Sequence, residues 1–138
     1  MMGKTKFIVG LAAGLAALAA AGAAQAGDVK ILAAEFRKAG DDRWSVNVTL
    51  KHHDTGWDHY ADEWRVVDGQ GRVLGDRVLY HPHVGEQPFT RGLDAVEVPP
   101  GVTTVHIEAH DKVHGWSPQR LTVDLSRARD GRVRAVAE

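Results

Sequence analysis

Residues 79–91, LYHPHVGEQPFTR, place two histidines and a glutamate around a proline, the residue types of a metal-ligand set. Side chains two residues apart in an extended segment point the same way. Pro82 fixes its own φ and drives His81 toward an extended conformation, so His81 and His83 are expected to face a common point. Two further stretches repeat the chemistry. One is His53-Asp54-Thr55-Gly56-Trp57, flanked by His52, Asp58 and His59; the other is His110-Asp111, followed by His114 and Gly115-Trp116.

Neutral imidazoles beside carboxylates suit Zn(II) or Cu(II), and the absence of cysteine removes thiolate ligands. The expected ligands are His81, His83, His110 and His114, then His53, with Glu86 and Asp111 ligating directly or holding an imidazole by its other nitrogen. His52, His59, Asp54 and Asp58 are the expected orienting partners. Trp57 and Trp116 are placed to roof a pocket or to plug the open end of the fold, and Arg91 to clamp an anion or to pair with Glu86 or Asp94. The competing reading is that these histidines only order long loops through hydrogen bonds to Asp and Arg. A cluster that responds to pH, or a pocket for an organic ligand, stands behind both. An enzyme is poorly supported, since Ser117 near His114 has no visible orienting partner; a zinc hydrolase with three ligands and an open position is the one enzymatic alternative the residues leave open.

The elements that must position these residues are strands. Trp44, Val46, Val48 and Leu50 alternate with polar residues, as do Val105, Ile107 and Ala109, and Leu121, Val123 and Leu125. Asp68-Gly69-Gln70-Gly71 reads as a hairpin turn after a strand over 62–67, and Pro99-Pro100-Gly101 as another turn. Strands are also expected over 29–36, over 72–80 with a bulge or break at Gly75-Asp76, and over 93–98, with a tail beyond Ser126 that can add a hairpin edge. About seven short strands and no convincing helix predict an all-β, antiparallel β-sandwich of immunoglobulin or fibronectin-III type. Alternate loops of such a sandwich lie at one pole, which gathers every histidine but His106 at a single end.

The chain opens with Lys4 and Lys6, an apolar run and Ala24-Gln25-Ala26, the pattern of a secretory signal peptide. Residues 1–26 are therefore expected to be removed, leaving a single domain over 27–138 in the periplasm or outside the cell, with no membrane contact after cleavage. Without Lys4 and Lys6 the remaining chain has 15 basic against 18 acidic side chains, a net charge of −3, and no basic surface for nucleic acid. All eight histidines remain.

The segments HHDTGWDHYADEW, HPHVGEQPFTR and AHDKVHGW resemble a family of small exported bacterial proteins. The resemblance implies export and one compact domain, and carries no activity, cofactor or catalytic residue. The reading is an exported β-sandwich with a histidine and carboxylate loop site that binds Zn or Cu(II) or responds to metal. The alternative is a non-enzymatic module that meets a periplasmic protein partner.

Overall fold

A computed structural model describes residues 27–138, so the signal peptide expected over 1–26 lies outside the described residues. Two antiparallel sheets pack face to face. The first has the order β5-β2-β1-β9, with β1 Lys30–Gly40, β2 Arg43–Lys51, β5 Phe89–Glu97 and β9 Arg132–Val136. The second has the order β4-β3-β6, with β3 Ala61–Asp68, β4 Val73–Val78 and β6 Thr104–Asp111; β7 Gly115–Trp116 and β8 Leu121–Asp124 both pair with the far side of β6. This is the expected β-sandwich, with nine strands among the described residues rather than about seven. In an antibody constant domain the strand after the third crosses to the first sheet. Here β4 stays hydrogen-bonded to β3.

Alternation generates the core. On β2 the buried side chains are Trp44, Val46, Val48 and Leu50; on β6 they are Val105, Ile107 and Ala109. With Ile31, Phe36, Trp64 and Val66 they form one apolar layer between the sheets. The two added strands come from segments that alternation describes poorly. β9 was legible only as a hairpin edge, and it pairs with β1 from Ala33↔Val136 to Arg37↔Arg132. β7 is two residues long and folds back on the end of β6. The fifth strand starts at Phe89, earlier than the apolar pattern indicates, because Phe89 pairs with Leu50 and is itself buried. The irregularity in β4 falls at Leu74, between the Val67↔Val73 and Val66↔Gly75 pairs.

One side chain fastens the sheets together where β1 begins. Gln119, in the connection to β8, accepts from the Ile31 amide at 2.8 Å and donates to the Ile31 carbonyl at 2.9 Å. The amide side chain thus behaves as a one-residue strand. Gln119→Ala is expected to lower stability by about 2 kcal/mol, two hydrogen bonds at about 1 kcal/mol each, measurable in urea as a lower midpoint with an unchanged slope.

Candidate functional site

The inward strand phases run from apolar into polar residues at one end of the sandwich. After Leu50 the inward phase of β2 continues through His52 to Asp54, and after Ala109 the phase of β6 continues to Asp111; all three polar residues are buried. The end of the sandwich is therefore filled by charged and imidazole side chains where a hydrophobic plug is usual. An inward polar residue at the end of an apolar alternation was the sequence signal that marked them, and loop composition hid it.

Asp54 satisfies both its oxygens. Oδ1 accepts from the Ala61 amide at 3.0 Å and faces His52 Nδ1 at 2.5 Å, while Oδ2 accepts from the His83 amide at 2.7 Å. His52 Nε2 lies 2.8 Å from the Gly27 carbonyl, a group that can only accept, so this nitrogen carries a hydrogen. The hydrogen between Nδ1 and Asp54 completes a buried pair. Gln87 bridges the neighbouring loops, accepting from the His52 amide at 3.0 Å and donating to the His83 carbonyl at 3.1 Å.

Asp111 is the second buried carboxylate. Its Oδ1 accepts from the amides of Val113 at 2.8 Å and His114 at 2.7 Å. Burial pushes its carboxyl up, but those two amides and the neighbouring His114 and His52 more than offset this and hold it below the ordinary aspartate value. Three imidazoles converge on it: His114 Nδ1 at 3.2 Å, His59 Nε2 at 3.3 Å and His52 Nε2 at 3.8 Å. His59 Nε2 is buried and off the line of a hydrogen bond to any group, Asp111 included, in spite of that short separation. Donor atoms of His52, His59 and Asp111, and of Asp28, Asp111 and His114, lie within 4.8 Å of one another. Asp111 is common to both groups.

The other candidates sit around this centre. His83 is buried with no hydrogen bond on either ring nitrogen, its Nδ1 4.0 Å from Asp54 Oδ2, and its ring is stacked on Phe89 at 4.0 Å and 11° between planes. His81 is exposed and His83 buried, their rings 4.7 Å apart, in a loop over residues 79–88. His110 points to the outer face of the second sheet, since its phase is opposite to that of Ala109 and Asp111; it pairs with Asp62 at 2.6 Å and meets Trp116 at 4.9 Å. Arg65 lies 3.6 Å over Trp116. His53 and Asp58 are exposed. Trp57 packs edge-on against Tyr60 and is otherwise open to solvent. Arg91 pairs with Glu86 at 3.0 Å and holds its carboxyl below the ordinary value. His106, mid-strand, bonds to Thr122. His81, His83, His110, His53 and Glu86 thus fall outside both donor groups, whereas His52 and His59, expected only as orienting partners, stand inside one. Gly27 and Asp28 had no motif to announce them.

No family model and no solved structure matches the chain. A protein of Halomicrobium mukohataei named "Putative lipoprotein" is 38% identical over 111 residues, covering 80% of this chain and 53% of that protein. This chain spans about half the length of that relative.

Two outcomes test this geometry. Asp54→Ala strands two amides and His52 in a buried place, and is expected to cost about 3–5 kcal/mol, read as the loss of urea stability. Burial lowers the His83 imidazole below the ordinary histidine value, with the charges of Arg91 and His81 acting in the same direction. The unfolded chain then takes up this proton more readily than the folded protein, so the His83 contribution falls as pH drops through about 6.5 toward the folded value. His83→Phe keeps the stack on Phe89 and carries no proton. Its melting temperature is expected to fall less between pH 7 and pH 5 than that of the unaltered protein, and an identical fall would refute the assignment.

Proposed function

We propose that the protein is an exported β-sandwich that binds a divalent metal of the Zn(II) or Cu(II) class at Asp111, with His59 and His114 as imidazole donors and Asp28 as a second carboxylate. The observation that carries this reading is the buried Nε2 of His59, which makes no hydrogen bond yet lies 3.3 Å from an oxygen of the buried Asp111 carboxylate that His114 also faces. In a tetrahedral site with bonds of about 2.0–2.1 Å, neighbouring donor atoms stand about 3.3 Å apart. The separations of 3.3 Å and 3.2 Å from Asp111 Oδ1 to His59 Nε2 and His114 Nδ1 match that spacing on the two edges that meet at Asp111, the residue common to both donor groups. His52 orients the site, since its Nε2 is engaged by Gly27 and its Nδ1 by Asp54. Export is supported by the leader pattern of residues 1–26 and by the name of the relative. The sequence contains no cysteine, so no thiol within it can carry a lipid.

The competing module, in which the histidines only order loops, is favoured by one observation: Asp111 already accepts two amide bonds. Thermal unfolding separates the two. A metal that binds only the folded protein stabilises it by about 2.7 kcal/mol at about a hundredfold excess over Kd. Added Zn(II) or Cu(II) is expected to raise the melting temperature of the unaltered protein, to do nothing for the double variant His59→Ala, His114→Ala, and to act fully on His81→Ala, His110→Ala. No shift with either metal in unaltered, chelator-free protein at pH 7.5 would leave the loop-ordering module as the function of these residues.

A further inference from the structure

The first described residue is built into the site. Gly27 gives its carbonyl to His52 Nε2 at 2.8 Å. Its backbone has φ +96°, and a Cβ placed on it would fall 2.7 Å from His114 Cε1 and 3.3 Å from His114 Nε2. The open Cβ position of Gly27 therefore faces the edge of the imidazole that carries both ring nitrogens. Asp28, next in the chain, shares a donor group with Asp111 and His114. Val29 is buried in the core and Ile31 is held on both its backbone groups by Gln119, so the segment is fixed from its second turn of chain onward. Directly before Gly27 stands Ala24-Gln25-Ala26, a small-x-small cleavage sequence.

Resting on the metal reading above, we propose that cleavage after Ala26 creates a further ligand: the α-amino nitrogen of Gly27 joins the set of Asp28, Asp111, His114 and His59 around the metal, and the donor set is one for Cu(II). In the precursor this nitrogen belongs to a peptide bond, and its lone pair is delocalised into the C–N linkage. Hydrolysis of that bond by water leaves the carboxylate on Ala26 and an amine on Gly27 whose lone pair is free to coordinate. The amine lies one bond, about 1.46 Å, from the α-carbon whose open Cβ position faces His114. An amine, an imidazole and carboxylates form a mixed nitrogen and oxygen set, for which Cu(II) is the tightest-binding divalent ion of the first transition row. Glycine suits this position, because a side chain at position 27 would collide with His114. Metal capture at full strength thereby waits for export, since the precursor lacks the amine donor.

The test compares two exported full-length precursors, the natural one and one with Thr-Ser inserted between Ala26 and Gly27, each recovered after cleavage with its start confirmed by intact mass. Cu(II) affinity is measured by chelator competition. The inserted form is expected to bind about tenfold or more weakly, with the same circular dichroism as the natural form. A measurement without any variant accompanies it: in protein labelled with nitrogen-15 glycine, a glycine nitrogen bound to Cu(II) replaces a strong nitrogen-14 hyperfine coupling by a nitrogen-15 one in pulsed electron paramagnetic resonance. Equal affinities together with a spectrum unchanged by the label would overturn the role of Gly27 and leave the metal site standing. Absence of Cu(II) and Zn(II) binding in the natural form would overturn the metal reading and this inference with it.

Discussion

Asp54 carries a side chain that no solvent reaches, and the rest of the histidine end is arranged to make that tolerable. Removing an ionised carboxylate from water costs several kcal/mol even after relaxation, and only a full set of donors offsets it. The donors come from three places in the chain: the amide of Ala61 at the start of β3, the amide of His83 in the loop before β5, and the ring of His52 just after β2. Satisfying one carboxylate thus fixes three connections against one another. In a chain with no cysteine, this does the work that a disulfide does in many exported domains. Asp111 repeats the solution one strand away, and the ring of His52 lies between the two carboxylates, so one imidazole moderates the repulsion of both.

The sheets were legible because alternation is a direct readout of which face is buried. Trp44 to Leu50 and Val105 to Ala109 announce β2 and β6, and Asp68 to Gly71 announces the hairpin between β3 and β4, where Asp68 accepts from the amides of Gln70 and Arg72. Convergence of histidines on one end was legible for the same reason, since it follows from strand direction alone. The selection among them was not. His110 and Asp111 are adjacent, and a single step in phase sends one to the outer sheet face and the other to the interior. Treating the two as one loop motif concealed that difference. His81 and His83 do bring their rings within 4.7 Å of one another, but in a loop that exposes the first, buries the second and leaves both outside the donor groups.

The outer face of the second sheet has its own order, distinct from the buried end. Glu108 accepts from Arg65 and from Arg120, each at 2.8 Å, and Arg65 in turn lies over Trp116. Burial raises the Glu108 carboxyl, yet the two guanidinium groups bring it below its ordinary value. His110, with Asp62 and Trp116, extends this polar surface toward the histidine end. The row holds β3, β6, β7 and the chain leading into β8 in one register across positions where the short β7 supplies little pairing of its own. Partly exposed ion pairs of this kind are individually weak, but a shared glutamate and a stacked guanidinium restrict one another.

The last strand has a consequence for how copies of the molecule meet. β9 forms an outer border of the first sheet, paired with β1 on one side only. Such a border offers a row of open amides and carbonyls on which another chain can polymerise. Along β9 the side chains directed away from the core are Arg132, Arg134 and Val136, and Arg129 stands exposed in the turn before it. Two molecules approaching border to border would bring like-charged guanidinium groups together before any backbone bond could form. That repulsion acts over a Debye length, about 8 Å at physiological ionic strength, so the sheet is guarded against fibrous growth in dilute salt and loses part of this guard in brine.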